Sequence, residues 1–329
     1  MRVVVRRGRF IESVHPVKWA VWKDGVVEGR GVRTLHHFRS CAKPFQAAAM
    51  LSVNLLERFP LESDELAIAC ASHGGSDLHV ATIKKMLARA GLAEDDLLCG
   101  THPPLDRSVR HKLIRQNIAP TPARHNCSGK HALMLLACVH MGWDTKTYIS
   151  PDHPCQVRCK EVIKRITGSR SVGYATDGCG VVEFVLPLSA MAKAYAQLAH
   201  PRILSHELTT LRNAIRSNPV HFAYEGATPT LLLQITGGRV IMKTGGAGLR
   251  CGVDTETGVA FAVKTESGSV DVPTMGKERR YQLADMAAFA VMCNLDILSS
   301  EERRQLQWLS RIDLLNARGE VVGEATVET

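Results

Sequence analysis

A serine and a lysine three residues apart, Ser40 and Lys43, stand at the head of an apolar run in Arg39-Ser40-Cys41-Ala42-Lys43-Pro44-Phe45-Gln46. On the first turn of a helix that spacing places both side chains on one face, within hydrogen-bond reach of each other. Pro44 is tolerated only within a first turn, which fixes where the helix begins. A serine hydroxyl is a poor nucleophile until a base takes its proton, and a lysine desolvated in a pocket has its pKa lowered enough to be that base. The pair is a candidate for acyl transfer. It reads equally as an N-terminal serine cap followed by a solvated lysine, and the motif alone leaves both open.

Four further clusters follow in chain order. The buried run Leu66–Ala71 delivers Ser72-His73-Gly74-Gly75, where small residues would let a ligand approach the backbone. Arg124-His125-Asn126-Cys127-Ser128-Gly129-Lys130-His131 leads into a very apolar helix, and Tyr174-Ala-Thr176-Asp177-Gly178-Cys179-Gly180 is acidic, thiol-bearing and glycine-bracketed. Last comes Lys243-Thr244-Gly245-Gly246 at the end of an apolar strand. With Lys43 as base for Ser40, a second pair of Ser72 and Lys243 could relay a proton to the leaving group. Backbone N–H groups near Ser40 and along the Lys243 strand could form an oxyanion hole. Lys264, on the following strand, is the weaker claimant for the role of Lys243.

The elements that must hold these groups are readable from pattern. Residues 1–35 read as antiparallel strands, with Asp24-Gly25 as a hairpin turn. Helices are expected from about Ser40 to Arg58, over a short run from Ser63, from Ser76 to Ala90 with Gly91 as C-cap, and from Arg107 to Asn117. More are expected over Ala132–Val139, His153–Thr167, Leu186–Leu198, 203–217 and 276–296. Strands Arg239–Met242, Leu249–Val253 and Val259–Lys264 form the late part of the sheet. The order is α+β: an antiparallel sheet from N- and C-terminal strands flanked by helices, with an inserted, mainly helical lobe. The whole chain, 1–329, reads as one catalytic unit, its sheet lobe 1–36 plus 221–329 and its helical lobe 37–220.

Bulk properties set limits. The 329 residues carry 45% apolar and 22% charged side chains, the composition of an ordinary globular protein. No apolar run reaches the roughly 18 residues of a membrane span, and the basic N-terminus lacks a signal peptide's apolar core. Ten scattered cysteines read as reduced core residues rather than a secreted disulfide framework. A cytoplasmic protein is expected. The net charge of +9 is spread along the chain, without basic runs interleaved with aromatics, which argues against a nucleic-acid partner.

Ser-x-x-Lys, a second Ser and a late Lys-Thr-Gly follow the order of motifs in penicillin-recognising serine enzymes. The phrases Arg-Ser-Cys-Ala-Lys-Pro-Phe-Gln, Ala-Ser-His-Gly-Gly-Ser, His-Asn-Cys-Ser-Gly-Lys-His-Ala and Thr-Asp-Gly-Cys-Gly-Val together resemble the class 3, rhizobial-type asparaginases of the asparaginase II family, over about residues 1–300. That resemblance implies a fold related to serine β-lactamases and glutaminases, a homodimer, and hydrolysis of L-asparagine to aspartate and ammonia. It implies Ser40 as nucleophile with Lys43 its base, Ser72 and Lys243 as the second tandem, and Arg39 and Asp177 on the substrate's α-carboxylate and α-ammonium, with His73 and Gly245 also at the substrate. It further implies zinc (Zn2+) near the substrate on Cys127, Lys130 and Cys179. Two thiolates suit zinc, whereas a lysine must be neutral to bind it. From spacing alone His131, four residues after Cys127, is the better third ligand, and two buried thiols without metal remain the plain alternative. Ala247 stands where relatives are expected to carry an acid, and 218–235 reads as divergent, so substrate preference is less fixed than reaction class. A glutaminase, a penicillin-binding or β-lactamase-like enzyme, and a non-catalytic amino-acid sensor are the competing readings.

Overall fold

The computed structural model describes residues 1–170, 172–266 and 282–328. Its main sheet is antiparallel and joins both ends of the chain. The strands are β1 (Arg2–Arg7), β2 (Phe10–Lys23) and β3 (Val26–Arg30), then β4 (Leu35–His37), β5 (Gly173–Thr176) and β6 (Val182–Pro187) in a separate small sheet. The late strands are β7 (Val240–Thr244), β8 (Leu249–Asp254), β9 (Ala260–Thr265), β10 (Arg311–Leu315) and β11 (Val321–Glu328). The spatial order is β10-β11-β1-β2-β9-β8-β7, with β3 also on β2. Val3 opposite Val327 and Val17 opposite Thr265 tie the N-terminal hairpin to the C-terminal strands on both sides.

Strand alternation sends one set of side chains to each face. On β9, Ala260 and Ala262 pack into the core of the helical region, while Phe261 and Val263 pack against the helix Leu283–Asn294. The small alanines admit the helix Leu188–Ala199, which lies on β2, β8 and β9. On β7, Val240 and Met242 face the Leu283–Asn294 side and Ile241 faces the helical region. Lys243 shares the parity of Ile241, so a period of two carries it to the face where the helices converge.

Several expected elements have different bounds. The run from Ser40 is a 3-10 turn, Arg39–Ala42, then a helix Lys43–Leu51, then a break before a short helix Leu55–Arg58. Asn54 takes a left-handed backbone at the break, and the Ser52 hydroxyl donates back to the Ala49 carbonyl. Such residues compete with the helix ladder. The expected helix Leu186–Leu198 begins only at Leu188, because Val182–Pro187 pairs with β4 and β5. Strands β4, β5, β6, β10 and β11 escaped the pattern reading. The expected helix 276–296 is described from Leu283 to Asn294; positions 276–281 lie outside the described residues. All ten cysteines are free thiols, buried except the half-buried Cys293. Among the described residues no helix is long and apolar enough to cross a membrane.

Candidate active site

Ser72 is the junction of the site. It follows the buried helix Ser63–Ala69, whose side chains Leu66 to Ala69 are enclosed by the helical core. The residue is 6% exposed, and its hydroxyl receives both lysines: Lys243 Nζ lies 2.7 Å away and Lys43 Nζ 3.2 Å away. Lys43 also donates to the carbonyls of Ala71 and Asn126, at 2.5 and 3.0 Å. Its three partners all accept, which matches the three N–H bonds of an ammonium. Burial, with the charge of Lys43 beside it, pushes the Lys243 ammonium down to about 7. Near neutrality the arrangement is therefore an ammonium, a hydroxyl and an amine able to take that hydroxyl's proton. Lys264 turns away and donates to the Thr265 carbonyl.

The expected direct pairing of Ser40 with Lys43 is not formed. Lys43 reaches Ser72 instead, and among the described residues the Ser40 hydroxyl makes no hydrogen bond. The cause is local: the Ser40 turn is 3-10, and the α-helix starts only at Lys43. Ser40 is half-buried and opens onto a cavity of about 430 Å³ together with Ser72, Arg39, Asp177, Asn126 and Gly245.

Arg39 precedes Ser40 with a left-handed backbone, φ 49°. A non-glycine residue holds that conformation only when its surroundings fix it. Glu183 does so: its Oε1 accepts the Arg39 backbone N–H at 2.8 Å. The guanidinium Nε donates to Asp177 Oδ1 at 3.0 Å and pairs with Glu183 Oε2 at 3.1 Å. Burial, then the neighbouring Asp177 charge, pushes the Glu183 carboxyl up to about 7. Glu183 was missed in the sequence, although a lone acid within Val181–Leu186 was the signal available.

Lys130 donates to Cys179 Sγ at 3.1 Å. The hydrogen bond between Cys179 and Cys127 favours the Cys127 thiolate against burial. Burial opposes the Lys130 charge, but Cys179, Cys127 and Asp177 outweigh it and push the ammonium above its ordinary value. Two soft sulfur donors and one amine thus converge from two segments, and the set fits a thiolate-preferring cation that displaces the lysine proton. Among the described residues no three His, Cys, Asp or Glu side chains converge to hold a metal. His131, the ligand favoured by spacing, points elsewhere and meets the Tyr148 hydroxyl at 2.7 Å.

His73 and Gly245, both expected at the substrate, differ in placement. His73 is buried, lies 3.0 Å from the Ser128 hydroxyl and accepts from the Gly75 N–H; it is not in the lining of the cavity onto which Ser40 opens. It shapes the turn after Ser72. Gly245 lines the cavity, but its N–H is bound to the Leu249 carbonyl at 2.9 Å and is not free for an oxyanion. A Cβ there would stand 3.0 Å from Cys41 Sγ, so glycine lets the strand end close on the Ser40 turn.

The model of the family L-asparaginase II matches residues 3–327. The chain belongs to that family. It is accordingly an amidohydrolase of the asparaginase kind, acting on a small molecule. No curated protein matches it. Among solved structures it is similar to a β-lactamase from Burkholderia ambifaria, at 14% identity over 87% of this chain and 96% of that one, TM-score 0.40. It is also similar to Mglu in its glutamate form, at 13% identity over 85% of this chain and 61% of that one, TM-score 0.46.

Proposed function

We propose that the chain hydrolyses L-asparagine to L-aspartate and ammonia through an acyl-enzyme on Ser40. The observation that carries this reading is the Ser72 hydroxyl held between Lys43 and Lys243 at the wall of the cavity that Ser40, Arg39 and Asp177 line. Asparagine's α-carboxylate would meet Arg39 and its α-ammonium Asp177. The Ser40 oxygen would attack the side-chain carbonyl carbon, and its proton would pass by Ser72 to the Lys243 amine. As the C–N bond breaks, the same relay returns the proton to nitrogen and ammonia leaves. Water then cleaves the ester by the reverse path. Lys43 is the fixed charge that lowers the cost of an anion on Ser72.

Zinc would be held by Cys127, Lys130 and Cys179. When bound, it would supply positive charge at the cavity wall and orient substrate rather than make the nucleophile. The homodimer is likewise part of this proposal, to be measured by sedimentation.

Ammonia release from L-asparagine and L-glutamine, together with labelling by a fluorescent penicillin, tests the reading. Asparagine turnover that Ser40→Ala lowers about 10³-fold or more is expected. Preferential turnover of glutamine, or penicillin labelling without amide hydrolysis, would refute the substrate. A second reading, favoured by the two lysines on one hydroxyl, makes Ser72 the nucleophile and Ser40 a binding group.

A further inference from the structure

A second cavity, of about 440 Å³, adjoins the first at Ser72. Ser72, Leu105, Thr244 and Gln282 line both spaces. Ser40 lines only the first and Lys243 only the second. Ser40 and Lys243 thus line adjoining cavities, and Ser72, which Lys243 reaches, belongs to the lining of both.

This division has a chemical meaning for amide cleavage at Ser40. The acyl part of the substrate stays with Arg39 and Asp177, while the departing nitrogen must face its proton donor. It therefore leaves on the Ser72 side. Ammonia is no larger than a water molecule, whose share of liquid volume is about 30 Å³. The space beyond Ser72 matches instead the roughly 300–1,000 Å³ of cavities that take small organic ligands. Phe222, Tyr224 and Trp308 contribute aromatic wall to it. Phe222 also carries Lys243 Nζ 5.8 Å from its ring centre, so the aromatic surface begins at the relay itself.

We propose that this cavity receives the substituent of a secondary amide, and that the enzyme hydrolyses aspartate β-amides bearing an aryl or arylalkyl group on nitrogen. The inference rests on the Ser40 acyl-enzyme reading and extends its substrate class. The step is balanced without a further reactant. Ser40 oxygen bonds to the carbonyl carbon, the C–N bond breaks, and the relay delivers the serine's proton to the leaving amine. Water then releases aspartate and restores Ser40.

The test compares L-asparagine with the benzylamide of the L-aspartate β-carboxyl, following aspartate and benzylamine. Ser108 and Glu225 are exposed residues of the second cavity, outside the relay. Wild-type turnover of the benzylamide is expected at a kcat/KM within roughly tenfold of that for asparagine. Ser108→Trp should lower the benzylamide value by roughly tenfold or more and leave asparagine within about twofold, and Glu225→Trp should do the same from the facing segment. Asparagine turnover without benzylamine release would overturn the inference and leave the amide-hydrolase reading intact. Equal losses on both substrates in both variants would also overturn it. If neither substrate is cleaved by the wild type, the underlying reading fails and the inference with it.

Discussion

Lys243 must be neutral before it can take a proton, and its position makes that possible near pH 7. Burial first, and the Lys43 charge second, hold it down at about 7 from an ordinary value near 10.5. Below that pH it is charged and cannot accept; above it the amine is free. The kcat for asparagine is therefore expected to rise with pH through about 7 and level off above. Lys243→Arg keeps the charge at every pH and should lower kcat by roughly 10²–10⁴-fold, read in a steady-state pH profile. Glu183 titrates in the same region, and its protonation also works against turnover on the acid side. Its folded pKa is raised to about 7, so lowering the pH through 7 neutralises it and loosens its hold on Arg39. KM is expected to rise on the acid side, and Glu183→Gln should give a high, flat KM with a smaller change in kcat. At this scale the sequence was partly legible. Ser40, Lys43, Ser72 and Lys243 stood out by type and spacing. The pairing of Lys243 with Ser72 was legible as well; that Lys43 reaches Ser72 rather than Ser40 was not, because it depends on one 3-10 turn before Lys43.

Two strand ends and a turn set the site's geometry at the scale of elements. Arg250 is fully buried on β8, pairs with Asp285 of the helix Leu283–Asn294, and donates to the Leu249 carbonyl at 2.7 Å. It also reaches the Gly245 carbonyl at 3.4 Å, so it braces the turn joining β7 and β8. Removing one partner of a buried ion pair strands the other charge, at a cost of about 3–5 kcal/mol. Asp285→Ala should therefore show that loss in denaturant unfolding and slow turnover as the Gly245 turn loosens. An unchanged unfolding midpoint would show the pair to be dispensable. The helices with strong caps were readable, as Ser76 and Gly91 illustrate. The small sheet β4-β6-β5 was not: its strands are three to six residues long, and Val182–Pro187 runs straight into a helix, with Pro187 as both its last residue and the helix N-cap.

Across the whole molecule, the chain's ends meet in one sheet and the site forms where that sheet faces the inserted helices. The α+β order and the union of early and late strands were visible in the β-branched run Val3–Val5, the hairpin at Asp24-Gly25 and the late strand runs. The pairing of β1 with β11 was not, since register between strands some 320 residues apart is fixed by packing on both faces rather than by any local signal. That packing brings Lys243 to Ser72 across 171 positions of sequence. The account stands on what that meeting does to asparagine. Quenching the reaction within one turnover and mapping the peptides measures it directly. An aspartyl ester on Ser40 is predicted; an aspartyl ester on Ser72, with Ser40 unmodified, would contradict it.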